Sequence, residues 1–194
     1  MKIVSPVRRT SHWWDHVNAV RPPPYLRRWL TDPASMTVKL MAHCRQFDVQ
    51  RLRQASGRCQ ADEAVLLGLP PRSRVQQRDV LLCGDGRPLV FGHTTLAAGQ
   101  ADWPFFSQLG ERPLGEALFA DPLVRRGPLH FARLHSHHPL VRQLGGALGK
   151  PSMPSLHARR SLFLRGNAVL LVTEIFLPAI DELTMVAPTD SRNL

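Results

Sequence analysis

The sequence has few cysteines, and they do not form a pattern typical of a disulfide framework or a zinc site. Its 194 residues include only three cysteines, and Cys44, Cys59 and Cys83 are widely separated, with no C-x-x-C spacing. Structural zinc sites need closely spaced thiolates or imidazoles, and small secreted domains pair their cysteines in even numbers. We therefore expect reduced thiols with structural roles.

The sequence also lacks a hydrophobic run long enough to cross a membrane. The longest nearly unbroken apolar run covers residues 168–177 and contains Glu174, whereas a spanning helix needs about twenty apolar residues. Residues 1–14 carry basic residues and tryptophans, but not the apolar stretch of a signal peptide. These absences predict no membrane insertion and a cytoplasmic protein.

Acidic residues are scarce relative to basic ones. The chain has 25 lysines and arginines against 15 aspartates and glutamates, a formal net charge of +10 at pH 7. Such a charge favours anionic partners, which include nucleic acids, acidic membrane surfaces and small dianions. Single-strand binders cluster basic and aromatic residues, but here the one tyrosine, Tyr25, stands among scattered phenylalanines. We interpret the pairs Arg125–Arg126 and Arg159–Arg160 as surface charges and expect no nucleic-acid partner.

Length and composition indicate one domain. With 43% hydrophobic residues, a chain of 194 residues can bury one core but is too short for two ordinary domains. We expect an N-terminal tail over residues 1–24, a single domain over residues 25–180 and a C-terminal tail over residues 181–194. We expect this domain to be a monomer.

Two β-hairpins are the clearest structural signals. Residues 75–83 and 89–97 flank a Gly-Asp-Gly turn, and residues 157–164 and 168–177 flank an Arg-Gly-Asn turn. The last of these strands is apolar on both faces, which is typical of a central or covered strand. A further strand is expected near residues 129–134.

Helices are expected on either side of the first hairpin. Ser35 is a candidate N-cap for an amphipathic helix over residues 36–46, and Pro113 opens a second helical piece that begins with Leu114. The glycine- and proline-rich residues 139–154 are predicted to form a loop. Together these signals predict an α+β fold, a single domain with a mainly antiparallel β-sheet covered by helices.

Two charged residues occupy strand positions where apolar residues are expected. Alternation places Arg78 on one face with Val80 and Leu82, and it places Glu174 on one face with Val172 in the most apolar strand. Such charges can form a buried structural ion pair, or one can lie at a strand end near water. They can also line one anion-binding cavity, in which the arginine holds a carboxylate and the glutamate acts on a hydroxyl or a proton. Periodicity alone does not decide between these alternatives.

The remaining polar clusters are weaker signals. The histidine-rich stretch 130–138 contains adjacent and alternate histidines that cannot all face one metal from a single strand, so no metal site is expected. Residues 145–150 contain a glycine-lysine pair but lack the full phosphate-binding loop pattern.

Five short segments together resemble the chorismate lyase family of ubiquinone biosynthesis. Their order and spacing cover most of the chain, which makes coincidence in all five improbable. The segments are DPASMT at 32–37, RDVLLCGDGRP at 78–88, PLG at 113–115, RRS at 159–161 and LVTEIFLP at 171–178.

The resemblance implies a closed cavity that binds an aromatic product. The family's binding arginine and glutamate match Arg78 and Glu174, the two charges that alternation had singled out, and both are expected to be catalytic and substrate-binding. Backbone groups of a methionine and a leucine in the covering segments match Met36 and Leu114. The family pattern often has a second arginine where this chain has His93, which puts an extra cationic contact there in doubt.

The resemblance also implies a reaction. Chorismate would be converted to 4-hydroxybenzoate and pyruvate by elimination of the enolpyruvyl group, the first committed step toward ubiquinone, with no cofactor. The small-molecule partners would then be chorismate and 4-hydroxybenzoate. The alternative is a non-enzymatic effector-binding domain, because effector domains of some bacterial transcription regulators resemble this fold. Such regulators usually append a winged-helix DNA-binding region, for which residues 1–24 are too few.

Overall fold

The computed structural model describes residues 12–97, 103 and 106–185. Within this part of the chain, one antiparallel sheet of seven strands is flanked by six α-helices, as the sequence predicts. The strands are β1 (Phe47–Arg58), β2 (Arg74–Gly84), β3 (Arg87–Ala97), β4 (Val124–Arg126), β5 (His130–Leu134), β6 (Leu156–Arg165) and β7 (Ala168–Phe176). The helices are α1 (Pro24–Leu30), α2 (Met36–Met41), α3 (Ala61–Leu66), α4 (Leu114–Ala120), α5 (Pro139–Ala147) and α6 (Ile180–Met185).

Both predicted hairpins are confirmed. Strands β2 and β3 pair in an antiparallel register, and so do β6 and β7. Asp85 and Gly86 turn the first hairpin with φ angles of 50° and 75°, and Gly166 turns the second with φ of 57°. These left-handed conformations suit glycine and aspartate, which explains why tight turns form at these residues.

The pairing of β3 with β7 joins the two hairpins into one sheet. The strand order is β1-β2-β3-β7-β6-β4, and β5 also pairs with β6. Strand β7 therefore lies in the middle of the sheet, between β3 and β6, as its two apolar faces predict.

The two faces of the sheet carry different layers. The front face, which bears Arg78 and Val80, packs against α1, α2 and α6 at one end and against α4 at the other. The rear face, which bears Asp79 and Leu81, packs against α5. The side chains of consecutive residues in one strand therefore pack into different layers.

Two local predictions need correction. Ser35 does cap α2, but the helix ends at Met41 instead of continuing to residue 46, because the chain turns there to enter β1. The predicted loop over residues 139–154 contains the helix α5, whose buried Leu140, Val141 and Leu144 pack on the rear face. This apolar stripe outweighs the glycines at its C-terminal end.

Part of the expected N-terminal tail packs on the domain. A 3-10 helix over Val17–Val20 buries both valines in the front-face core, and Trp14 forms an isolated bridge with Phe131. Residues 1–11 and 186–194 of the two expected tails lie outside the described residues. Among the helices described, none has the length and apolar character needed to span a membrane.

Candidate active site

A cavity lies between the front face of the sheet and the helices α2 and α4. Its floor is mostly apolar or small, and Gly92 leaves room in the centre of the sheet. Side chains from the first turns of α2 and α4 cover it, and Met36, Thr37 and Leu114 are among them. Three arginines and one glutamate also line it: Arg78, Arg126, Arg159 and Glu174. The predicted site residues therefore meet in one cavity.

The two covering helices approach each other closely. A Cβ atom added at Gly115 would lie 2.7 Å from Ser35 Oγ and 3.1 Å from Thr37 Oγ1. Because such distances are too short for a methyl group, the glycine allows α4 to rest on the start of α2. Met36 and Leu114, the first residues of these helices, are both buried. First-turn N–H groups have no acceptor within their own helix, so these amides can serve a ligand.

Arg78 is the polar group on the β2 side of the cavity. Arg78 is only 1% exposed, and its Nη2 donates hydrogen bonds to the carbonyl oxygens of Gly110 at 3.0 Å and Arg112 at 2.9 Å. Its buried Nε has no hydrogen-bond partner in the part of the chain that the structure describes. Burial, followed by the charge of Arg51, lowers the pKa of Arg78 to about 10, so the guanidinium stays charged at neutral pH.

Glu174 lies in β7 and is paired inside the protein, but not with Arg78. Its Oε2 accepts a hydrogen bond from Nε of Arg159, the residue directly opposite in β6. The Glu174 side chain retains 13% exposure toward the cavity. A structural Arg78–Glu174 ion pair is therefore the wrong alternative.

Arg159 holds Glu174 and the segment before α2 together. Its Nη1 donates to the carbonyl oxygens of Trp29 at 3.1 Å and Asp32 at 2.6 Å. The expectation that Arg159–Arg160 lies on the surface is wrong, because these residues are 1% and 7% exposed. Arg160 instead pairs with Asp62 at 2.8 Å on the rear face.

Arg126 is a cavity residue that sequence reasoning missed. Its Nε donates to Ser161 Oγ at 2.8 Å, and its Nη1 donates to the carbonyl oxygen of Pro33 at 2.6 Å. The guanidinium carbon lies 5.8 Å and 5.4 Å from the ring centres of Phe119 and Phe163. Burial, followed by the charge of Arg159, lowers the pKa of Arg126 to about 10. Within the predicted Arg125–Arg126 surface pair, only Arg125 is exposed.

His93 points away from the cavity, into the rear layer. Nδ1 lies 2.5 Å from Asp79 Oδ1, and Nε2 lies 3.0 Å from both Glu63 Oε1 and Thr95 Oγ1. Burial alone would lower the pKa of His93, but hydrogen bonds and charges from Asp79 and Glu63 raise it to about 9. The family's extra cationic position is thus occupied by a cationic histidine that cannot contact a ligand in the cavity.

Other candidate groups have structural roles. His138 in the histidine-rich stretch accepts a hydrogen bond from Leu140 N and caps α5, and His130 contacts Asp15. Across the described ranges, no group of three potential ligands is arranged to hold a metal ion. Burial raises the pKa of Cys59 to about 12 and that of Cys83 to about 11, which leaves both thiols protonated.

Comparisons with known proteins relate the chain to one enzyme family. A family model described as chorismate lyase matches residues 9–184. A protein of Cupriavidus pinatubonensis named probable chorismate pyruvate-lyase is 50% identical over 161 residues, which cover 80% of this chain and 82% of that protein. A protein of the same name from Aromatoleum aromaticum is 43% identical over 175 residues, with 88% and 94% covered.

Solved structures share the fold at low sequence identity. The C-terminal domain of the histidine utilization repressor from Pseudomonas syringae pv. tomato is similar with a TM-score of 0.52 at 12% identity. The match covers 69% of this chain and 93% of that domain. A GntR-family transcriptional regulator from Bacillus cereus is similar with a TM-score of 0.50 at 9% identity, over 69% and 92% of the two chains. At these identities the likeness concerns the fold alone.

Proposed function

Because the chain belongs to the chorismate lyase family and is thus a chorismate pyruvate-lyase enzyme, we propose that it converts chorismate into 4-hydroxybenzoate and pyruvate. The observation that carries this proposal is the placement of Arg78 and Glu174 in one covered cavity. The resemblance further supports the first committed step toward ubiquinone, in the cytoplasm, as the place of this reaction.

Arg78 binds the ring carboxylate of chorismate. The guanidinium is buried and charged, and its Nη2 is already held by two carbonyl oxygens. Held in this way, it can present its remaining N–H groups to a carboxylate without losing much side-chain freedom on binding. The first-turn amides of Met36 and Leu114 serve as additional donors.

Glu174 acts at the hydroxyl end of the ring. The register places Glu174 opposite Gly92 of β3, and Arg78 in β2 lies one strand further along the sheet. Neighbouring strands are about 4.8 Å apart, and Arg78 lies two residues along β2 from Val80, which faces Gly92, so the two backbone positions are separated by about 12 Å. Two long side chains that project from such positions can bracket a single six-membered ring.

The reaction is an elimination that aromatises the ring. A base removes the hydrogen from the carbon that bears the hydroxyl, and the released electron pair forms the last double bond of the aromatic ring. The C–O bond to the enolpyruvyl group on the neighbouring carbon breaks, and its electron pair leaves on the enolate oxygen. Protonation of the enolate carbon then yields pyruvate. This balance needs no oxidant, reductant or organic cofactor, so the protein orients the substrate and manages charge.

Incubation of the purified protein with chorismate tests the proposal. We expect 4-hydroxybenzoate, measured by its absorbance after chromatography, and pyruvate, measured by lactate dehydrogenase and NADH, in a one-to-one ratio. A parallel incubation without protein controls for uncatalysed decay of chorismate. Binding of 4-hydroxybenzoate without any turnover would contradict the proposal and favour the effector-domain alternative, and a DNA mobility shift run alongside would test that alternative directly.

A further inference from the structure

Two of the three arginines that line the cavity form no ion pair with a carboxylate of the described residues. Arg159 is paired with Glu174, whereas no carboxylate of the described residues forms an ion pair with Arg78 or Arg126. Arg78 is buried and Arg126 is partly buried, and a charge that is removed from water without an acidic partner is costly. Three arginines and one glutamate give the lining of the cavity an excess of two positive charges, even though Glu174 and Asp32 lie near enough to Arg126 to favour its charged form. A ligand with two negative charges would complement this excess.

The two unpaired guanidiniums lie at opposite ends of the cavity. Four residues of neighbouring strands are aligned across the sheet: Arg78, Thr94, Val172 and Ser161. Arg126 donates a hydrogen bond to the hydroxyl of Ser161. Three strand spacings of about 4.8 Å separate the backbone of Arg78 from that of Ser161, about 14 Å in all. Glu174 projects from β7, between these two ends.

We propose that Arg126 binds the second carboxylate of the substrate, the one on the enolpyruvyl group. This inference rests on the proposed function, because it takes chorismate as the ligand. With the ring carboxylate on Arg78 and the ring hydroxyl at Glu174, the neighbouring ether substituent extends past Glu174 toward β6 and β4. Arg126 projects from β4 and meets the carboxylate of that substituent there.

The surroundings of Arg126 suit a carboxylate-binding role. Its Nε and Nη1 are fixed by Ser161 and Pro33, so the plane of the guanidinium is held, while Nη2 has no partner among the described residues. The rings of Phe119 and Phe163 lie beside it and limit the access of water. A charge held in this way also stabilises the negative charge that develops on the departing enolpyruvate.

A merely structural role for Arg126 predicts a different result. Through Pro33 the side chain tethers the segment before α2, so its loss could loosen the cover of the whole cavity. That effect would weaken every ligand alike. A carboxylate-binding role weakens only ligands that carry the second carboxylate.

Calorimetric titration with two stable aromatic ligands separates these roles. One is 4-hydroxybenzoate, and the other is 3-(carboxymethoxy)-4-hydroxybenzoate, which keeps a second carboxylate on an ether oxygen beside the hydroxyl. In Arg126→Gln, which keeps a donor for Pro33 but removes the charge, we expect the dicarboxylate to bind at least about tenfold more weakly, the usual effect of losing a charge-assisted hydrogen bond. The affinity for 4-hydroxybenzoate should change by less than about twofold.

Turnover of chorismate provides the second measurement. The kcat/KM of Arg126→Gln should fall by at least about tenfold, and Arg126→Lys should recover part of this loss. Arg125→Gln is the matched control, because this neighbouring arginine is exposed and its loss should leave both ligands and turnover unchanged. Melting curves on all variants report folding.

Two results would overturn the inference: an equal loss of affinity for both ligands in Arg126→Gln, or no loss for either. If the wild-type protein binds the dicarboxylate no better than Arg126→Gln does, the second site does not exist. Absence of chorismate turnover by the wild type would contradict the proposed reaction instead, and the two titrations would still decide whether Arg126 binds a carboxylate.

Discussion

The charged residues of the front face differ in how each charge is compensated. Arg159 is compensated by Glu174 and by three backbone carbonyl oxygens, so it belongs to the protein's own framework. Among the described residues, Arg78 donates hydrogen bonds only to backbone carbonyl oxygens. Substitutions at these residues should therefore separate framework effects from ligand effects.

Glu174→Gln keeps the size of the side chain but removes its charge and basicity. We expect kcat to fall by about a hundredfold or more, the usual range for loss of a general base. The melting temperature should also fall, because a neutral amide compensates the buried Arg159 less well than the carboxylate does. Steady-state kinetics and a melting curve on the same sample check this. A well-folded variant with unchanged kcat would show that the charge of Glu174 is not needed.

Arg78→Lys keeps the charge but loses the planar pair of donors. We expect the affinity for both chorismate and 4-hydroxybenzoate to fall by about tenfold or more, about 1.4 kcal/mol, because lysine cannot hold a carboxylate with two parallel bonds. Calorimetric titration with 4-hydroxybenzoate measures this loss. Wild-type affinity combined with a lowered melting temperature would assign Arg78 a structural role instead.

At the scale of elements, the cover of the cavity depends on the contact between α2 and α4. Both helices are short, and the contact relies on Gly115, which faces Ser35 and Thr37 without a side chain. Short helices have little stability of their own, so packing keeps them in place. A closed cover of this kind should make the release of 4-hydroxybenzoate slow and product inhibition strong.

Gly115→Ala should force the two helices apart. The added methyl group would lie 2.7 Å from Ser35 Oγ, so we expect faster product release and at least a threefold weaker inhibition by 4-hydroxybenzoate. Progress curves with added product measure the inhibition. Gly146→Ala in α5 is the control, since no atom of the described residues outside its own helical turn lies within 4 Å of the added methyl group. Alanine also favours helix over glycine by about 1 kcal/mol. Equal inhibition constants in Gly115→Ala and wild type would argue against this cover.

At the scale of the whole molecule, the sheet separates two polar systems. The front face carries the cavity, and the rear face carries the buried cluster of Asp79, His93 and Glu63, with Gln143 of α5 donating to Asp79 at 2.6 Å. Because neighbouring residues of β2 point to opposite faces, Arg78 and Asp79 serve different systems. The rear cluster ties α3 and α5 to the sheet and should govern how stability depends on pH.

Stability should decline as the solution becomes alkaline. The pKa of His93 is about 9 in the folded protein against 6.5 for the free side chain, so its contribution is complete below about pH 6.5 and is lost as pH rises through about 9. The pKa of Glu63 is lowered, so its contribution is present above its free value of 4.5 and is lost in acid. Melting temperatures between pH 6 and pH 10 should fall in wild type.

His93→Gln provides the comparison for this pH profile. The glutamine cannot carry the charge, so the variant should melt at a lower temperature at pH 6.5 and show a much flatter decline up to pH 10. An unchanged slope in His93→Gln would mean that other groups cause the alkaline loss. Activity of the variant at pH 6.5 should persist, since His93 does not line the cavity.

Much of the fold followed from local sequence patterns. The hairpins form where residue alternation meets a turn that contains glycine, and all of these signals lie within one short stretch of chain. The same alternation placed Arg78 and Glu174 on the cavity side of their strands and identified β7 as a covered strand. Local patterns did not predict the helix α5, because its apolar stripe is short and the helix is stabilised by packing on the sheet.

The pairing of distant strands decided the rest of the site. Nothing in the neighbourhood of Arg126 along the chain indicates which residues it will face, because Ser161 and Pro33 are 35 and 93 residues away in sequence. The packing of the segment before α2 brought the carbonyl oxygens of Trp29 and Asp32 to Arg159, and the position of β4 brought Arg126 to Ser161. Burial of a charge is tolerated only when its partners are in place, and tertiary structure alone supplied those partners.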